Sequence, residues 1–256
     1  MNFVISLASA KDRRLHIANE FETKSIKYHF FDAVQPDQIP LMEEKYGISL
    51  SNSKLTAGEK ACFFSHVEIW KIAIENNLQY VAIFEDDVFL GKDAGDFLSN
   101  FDWVPENFHI IKLEMFEEYV LMDFKKTSLK NRRSLRKLNE MHLGTAGYIL
   151  SLEGAKDYLN YIKYKNINEA LDHLMFESYL KTNRKIVYQM IPGLSAQADR
   201  IGKYNLESQL ENDRKYNRLN YDIPKIKLTL IQKLKREFFR LIYQLKLKFC
   251  KVGFFR

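Results

Sequence analysis

The sequence predicts an α/β domain built on a mainly parallel sheet, and three observations carry that prediction. Apolar runs of strand length alternate with helically spaced segments along the first two hundred residues. The run Tyr80-Val81-Ala82-Ile83-Phe84 is apolar throughout, as a strand buried on both faces must be. Ahead of it, Thr56-Ala57-Gly58-Glu59 carries the Ser/Thr-x-x-Glu signature of a helix start. Alternation of this kind is the pattern of a sheet with helices packed on it.

Taken in order, Phe3-Val4-Ile5-Ser6-Leu7 reads as a first strand, and Leu15, Ile17, Ala18 and Phe21 have the spacing of a helix behind it. Tyr28 to Ala33 reads as a second strand. Pro36 and Pro40 predict a loop, followed by weakly patterned residues 41–50. Ala61, Phe64, Ile69, Ala73 and Ile74 extend an apolar face behind the capping box, predicting a helix over 57–76 that ends at Asn76-Asn77. After the buried strand, His109 to Leu113 and Gly147 to Leu150 are further strands, with a helix over 153–164. Residues 169–181 look helical, and Lys185 to Gln189 form a late strand closed by Pro192-Gly193.

The chain has 256 residues, 46% of them hydrophobic, enough for one catalytic-sized core. Its net charge of +6 is unevenly placed: residues 225–256 hold ten Lys or Arg against Glu237, a net of +9, which leaves −3 for residues 1–224. Two parts are expected, a domain at 1–224 and a basic tail at 225–256. A uniformly basic domain would suggest nucleic acid; basicity confined to a segment that also holds Leu, Ile and Phe suggests an anionic membrane surface. From Ile231 to Val252, helical spacing gathers Ile231, Leu234, Phe238, Leu241, Ile242, Leu245, Phe249 and Val252 on one side and Lys233, Arg236, Arg240 and Lys251 opposite. The alternative is a helix packed on its own domain or in a dimer. Cys62 and Cys250 are too far apart in the chain to suggest a disulfide framework or a CxxC metal site, which fits a reducing cytoplasm. Neither a secretory signal nor a transmembrane run of about 18 apolar residues is expected.

Glu85-Asp86-Asp87 directly follows the buried strand. Three adjoining carboxylates repel one another and need water or a cation, and Mg²⁺ or Mn²⁺ takes oxygen ligands shared with substrate phosphates. A strand end in an α/β sheet is where ligand crevices form. Alternation along an extended segment aims Glu85 and Asp87 together and Asp86 elsewhere. The plainer reading is a solvated acidic strand end.

At these residues the sequence resembles the family 25 glycosyltransferases, which include lipooligosaccharide galactosyltransferases of Gram-negative mucosal bacteria. The resemblance covers residues 1–200 and rests on four segments in order. These are Leu55 to Cys62 with Ser65-His66, Val81 to Asp87, Gly144 to Leu150 with Gly154-Ala155, and the looser Leu171-Asp172-His173-Leu174. It implies a GT-A type fold, a metal held at the acid triplet, and inverting transfer from a UDP-sugar, galactose before glucose, to a lipooligosaccharide acceptor. Ser6 stands where the family often has Asn.

Inverting transfer needs a base for the acceptor hydroxyl and an electrophile for the departing diphosphate. Metal at Glu85 and Asp87 would serve the second need. Asp172 is the expected base, with a first-turn helix acid as its structural alternative. Glu59 is the rival base, with its capping role as the alternative, and Gly58 beside it lets a ligand approach the helix start. On the donor side the candidates are Leu7 at the end of the first strand, Arg13 for the nucleotide charge, Asp32 for uracil or ribose, Ser65, His66, Asp86, and Gly144-Thr145-Ala146 for close sugar packing. Surface charge, a turn acid, helix packing and a tight turn are the respective structural alternatives for Arg13, Asp32, His66 and the glycine segment.

Residues 125–137, KKTSLKNRRSLRK, hold seven Lys or Arg and no acid, and predict a mobile solvated loop or one that folds over an anionic ligand. The expected setting is the cytoplasmic face of the bacterial inner membrane, as a peripheral protein with no nucleic-acid partner. A non-catalytic membrane-surface or nucleic-acid binding protein is the competing reading. A phosphotransferase or nuclease is a third, but no GxxxxGK[ST] motif is present.

Overall fold

A computed structural model describes residues 1–202, 229–249 and 255. The main sheet has eight strands: β1 (Asn2–Ser6), β2 (His29–Asp32), β3 (Tyr80–Glu85), β5 (Ile110–Lys112), β6 (Met122–Ser128), β7 (Ser134–Leu138), β8 (Gly147–Ser151) and β9 (Val187–Ile191), in the order β2-β1-β3-β8-β5-β9-β7-β6. Following the pairings across, β8 and β7 are reversed and the other six strands run one way. The α/β class and the mainly parallel sheet are therefore as expected. A two-stranded ribbon joins β4 (Val88–Leu90) antiparallel to β10 (Ser195–Gln197).

The helices in this frame are α1 (Lys11–Glu22), α2 (Ile39–Tyr46), α3 (Ala57–Glu75), α4 (Gly95–Leu98), α5 (Leu152–Ile162), α6 (Leu171–His173) and α7 (Leu230–Phe249). Because side chains alternate across a strand, the apolar run of β3 divides between two cores. Val81 and Ile83 join Trp70, Tyr148 and Tyr158 on the face covered by α3 and α5, while Ala82 and Phe84 join Ile17 and Phe21 of α1 on the other. Phe3 and Ile5 against Val4 in β1, and Ile110 against Ile111 in β5, divide the same way. Both faces being dry, the strand has no polar position until Glu85.

Two local expectations are corrected and a third is refined. The stretch after Pro36 is not a loop throughout: a 3₁₀ turn (Pro36–Gln38) leads into α2, whose first turn accommodates Pro40 because an amide hydrogen is not needed there. The basic segment 125–137 is a β-hairpin at the sheet edge, not a mobile loop. Leu135 and Leu138 are buried on it, and Arg133, 2% exposed, donates from Nε to Asp93 Oδ2 at 2.9 Å and from Nη1 to the Pro192 carbonyl at 2.6 Å. Lys125, Lys126, Lys130 and Arg132 remain exposed. The helix expected over 169–181 is present over 171–182 with a change of winding: α6 passes through a π turn (Leu174–Ser178), in which the Tyr179 amide reaches back to the Leu174 carbonyl, to a 3₁₀ turn (Leu180–Thr182).

In α7, Leu234, Phe238, Leu241 and Leu245 are exposed. No helix among the described residues is long and apolar enough to cross a membrane. The expected boundary at 224/225, together with Cys250, Lys251 and Val252, lies outside the described residues.

Candidate functional site

A cavity of about 370 Å³ opens at the carboxyl ends of β1 and β3. Ser6 and Leu7 from the end of β1, Arg13 from α1, and Ala57, Gly58, Glu59, Cys62 and Ser65 from the start of α3 line it. So do Glu85, Asp86, Asp87, Gly144, Thr145, Asp172 and Gln197. Strand ends place these groups because each parallel strand delivers its C-terminal loop to the same edge.

The three acids do not share one environment. Glu85 Oε1 accepts from Thr145 Oγ1 at 2.8 Å; Asp86 Oδ1 accepts from Arg13 Nη1 at 2.6 Å; Asp87 accepts from Gln197 Nε2 at 3.3 Å. Asp86 was expected to project away, but alternation holds only while the strand is extended, and the chain turns at Asp86-Asp87. All three acids therefore face the cavity. Burial first, and the Glu85 charge second, push the Asp87 carboxyl up to about 7, with Arg13 opposing them. Negative charge at Asp87 is thus under-compensated by the protein's own cations.

Of the residues singled out from sequence, Leu7, Arg13, Glu59, Ser65, Glu85, Asp86, Asp87, Gly144, Thr145 and Asp172 line this cavity. Asp32, His66 and Ala146 do not. Asp32 is held outside by an ion pair with Arg14, whose guanidinium also lies 4.7 Å over the Phe30 ring. His66 is fully buried behind the wall, with Nδ1 2.7 Å from the Tyr148 hydroxyl. Ala146 acts through its backbone, donating to Glu114 Oε2 at 2.9 Å. Glu59 makes the capping box foreseen for it, with Thr56 N donating to its Oε2 at 2.8 Å. Asp172 sits in the first turn of α6, accepting from its neighbour His173 N at 2.9 Å and from Gly144 N at 3.3 Å. It thereby ties the late acidic motif to the glycine segment.

Sequence reasoning missed the support beneath that segment. Lys112 Nζ and Glu114 Oε2 are 3.2 Å apart with both side chains fully buried, and Lys112 also donates to the Gly144 carbonyl. Burial lowers the Lys112 ammonium and raises the Glu114 carboxyl, each shift opposed by the other's charge. Gly144 has φ +88°, and a Cβ there would fall 2.5 Å from Glu114 Oε2. The glycine is thus required by the buried carboxylate as well as by the turn. The signal was present in Ile110-Ile111-Lys112-Leu113-Glu114, where two opposite charges two residues apart share one face of an apolar strand. Gln197 carried no such signal.

A crevice of this kind, with acids at the end of a central strand and a basic side chain on the facing helix, fits the family resemblance, and the comparison with known proteins bears it out. The chain belongs to glycosyltransferase family 25 (LPS biosynthesis protein), whose family model matches residues 1–175, a span that includes every candidate above except Gln197. It is a glycosyltransferase. Among its relatives, the lipooligosaccharide biosynthesis protein lic2B of Haemophilus influenzae is 37% identical, covering 84% of this chain and 83% of that one. The lacto-N-neotetraose biosynthesis glycosyltransferase LgtE of Neisseria meningitidis serogroup B is 39% identical, with 85% and 82% covered.

Proposed function

We propose that this chain transfers a hexose, galactose before glucose, from a UDP-sugar to a lipooligosaccharide acceptor with inversion at the anomeric carbon. The observation that carries this reading is the convergence of Glu85, Asp86 and Asp87 on one cavity with Arg13 and the start of α3. Oxygen-only donors and the under-compensated Asp87 carboxylate fit Mn²⁺ or Mg²⁺, held by Asp87 with Glu85. Such an ion supplies Lewis acidity at the departing diphosphate. Arg13 holds Asp86 against the site and adds positive charge on the donor side. Ala57 and Gly58, at the N-terminus of α3, line the cavity, where the helix start suits phosphate oxygens.

Asp172 serves as base. Its carboxylate is fixed by two backbone amides and lines the cavity that the three acids also line, so it takes the acceptor hydroxyl proton while that oxygen bonds to the anomeric carbon and the bond to the diphosphate breaks. Glu59 is the weaker choice because the helix cap already engages it. The names of the relatives, a lipooligosaccharide biosynthesis protein and a lacto-N-neotetraose biosynthesis glycosyltransferase, support the acceptor class. The test is UDP release and product formation from UDP-galactose and UDP-glucose with Mn²⁺ and a lipooligosaccharide acceptor. Absence of release with either donor overturns the reading.

The exposed apolar residues of α7, within a segment of net charge +9, support peripheral attachment of residues 225–256 to the anionic cytoplasmic face of the inner membrane, where a lipid-linked acceptor is presented.

A further inference from the structure

At the cavity wall, Cys62 Sγ, a His66 ring nitrogen and a Glu85 carboxylate oxygen lie within 4.8 Å of one another. The proposed transfer uses neither Cys62 nor His66. Cys62 and His66 are four residues apart on α3 and so project from one face of it. Glu85 closes the triangle from the end of β3.

His66 is the informative member. Its side chain is fully buried, and Nε2 has no hydrogen-bond partner among the described residues, although a buried polar nitrogen left unpaired is costly. The opposite nitrogen, Nδ1, is engaged by the Tyr148 hydroxyl at 2.7 Å, and that hydroxyl is itself held by Trp70 Nε1 at 3.0 Å. The ring is thus fixed with Nε2 turned toward Glu85 Oε1, 3.7 Å away. Metal binding takes the tautomer in which Nδ1–H donates to the Tyr148 oxygen and the Nε2 lone pair is left toward Glu85, with the Cys62 sulfur in the same cluster.

We propose that Cys62, His66 and Glu85 form a three-ligand site for a thiophilic divalent cation of the zinc type, open on its fourth side to the donor cavity. Bond lengths of about 2.3 Å to sulfur and about 2.0–2.2 Å to nitrogen and oxygen in a tetrahedron place ligand atoms roughly 3.4–3.6 Å apart. The His66–Glu85 separation of 3.7 Å needs a closure of only a few tenths of an ångström to match. Thiolate with imidazole selects zinc over Mn²⁺ or Mg²⁺, which prefer the oxygens of the acid turn. Cys62 and Glu85 also line the cavity, so the ion has an entry path and an exchangeable position. On binding, the thiol proton passes to solvent and sulfur donates as thiolate. Since Glu85 would also support the donor's metal, zinc here withdraws that carboxylate and lowers turnover. This last consequence alone rests on the proposed transfer function.

The experiment uses the full metal-free chain and Co²⁺, without sugar, so it stands or falls apart from the transferase reading. A 1:1 titration should develop a thiolate-to-cobalt charge-transfer band with the visible bands of a tetrahedral ion, and equimolar Zn²⁺ should abolish both. Cys62→Ser should remove the charge-transfer band, whereas Cys250→Ser and Asp87→Asn should retain it. A wild-type chain without the band overturns the proposal. So does a band that survives Cys62→Ser, or one lost in Cys250→Ser, either of which puts the thiolate at the other cysteine. Loss of the band in Asp87→Asn, with that variant's circular dichroism unchanged, overturns it too by making the acid turn the cobalt site.

Discussion

Replacing Lys112 with Met tests whether the buried pair under the glycine segment holds the site together. Met fills nearly the same volume against Phe176, whose ring lies 4.5 Å from the ammonium, but it leaves Glu114 fully buried with only Ala146 N to neutralise it. Breaking a buried pair from one side costs about 3–5 kcal/mol. At an m-value of about 2.5 kcal/mol/M, this lowers the urea midpoint by roughly 1–2 M. The loss should depend on pH. Burial already raises the Glu114 carboxyl, and removing Lys112 takes away the charge that opposes the rise. An acid with a folded pKa above its unfolded one holds more protons when folded, so stability falls as pH rises between the two values. The variant should therefore regain stability as pH is lowered from 7.5 toward the ordinary carboxylate value of 4.5. Adding Glu114→Gln removes the stranded charge while keeping an acceptor for Ala146 N, and should recover at least half of the loss. A cost below about 1 kcal/mol at pH 7.5, or a double variant no more stable than the single one, would refute the reasoning.

Asp87→Asn should abolish Mn²⁺-dependent UDP release with the fold intact, and near-normal turnover would remove Asp87 from the site. Because its carboxyl sits at about 7 and must be ionised to bind a cation, apparent Mn²⁺ affinity of the wild type should fall up to tenfold per unit below pH 7 and level off above it, as read by calorimetry. Asp172→Asn should cut kcat by about 10²-fold or more while leaving UDP-sugar affinity within a few fold; loss of donor binding would assign it to the nucleotide side. Gly144→Ala, which drives a Cβ into Glu114 at positive φ, should cost about 2–4 kcal/mol and lower turnover, checked by urea unfolding and UDP release. Replacing Phe238 and Leu241 together by Glu should release the chain from anionic vesicles, and added salt should weaken binding of the wild type; unchanged sedimentation with vesicles would count against the tail's role.

The sequence by itself determined the α/β class, most element positions and the placing of three acids at the end of β3, because these depend on local patterns. The dry run of β3 and the capping box of α3 are legible from residues a few places apart, and the structure places both as written. Helix α2 and the basic hairpin were misread for the same local reason. Pro40 looked like a breaker until its place in the first turn was known, and a run of seven basic residues hid the two leucines that bury against the sheet. What tertiary structure alone decided are partnerships across long separations. Arg13 meets Asp86 over 73 residues, Asp172 meets Gly144 over 28, and Cys62 and His66 meet Glu85 only because α3 packs on β3. Asp32, which had as much claim as Arg13 on sequence, is taken out of the site by its neighbour Arg14. Burial and pairing set which charges are free to act, and both depend on contacts that no local pattern encodes.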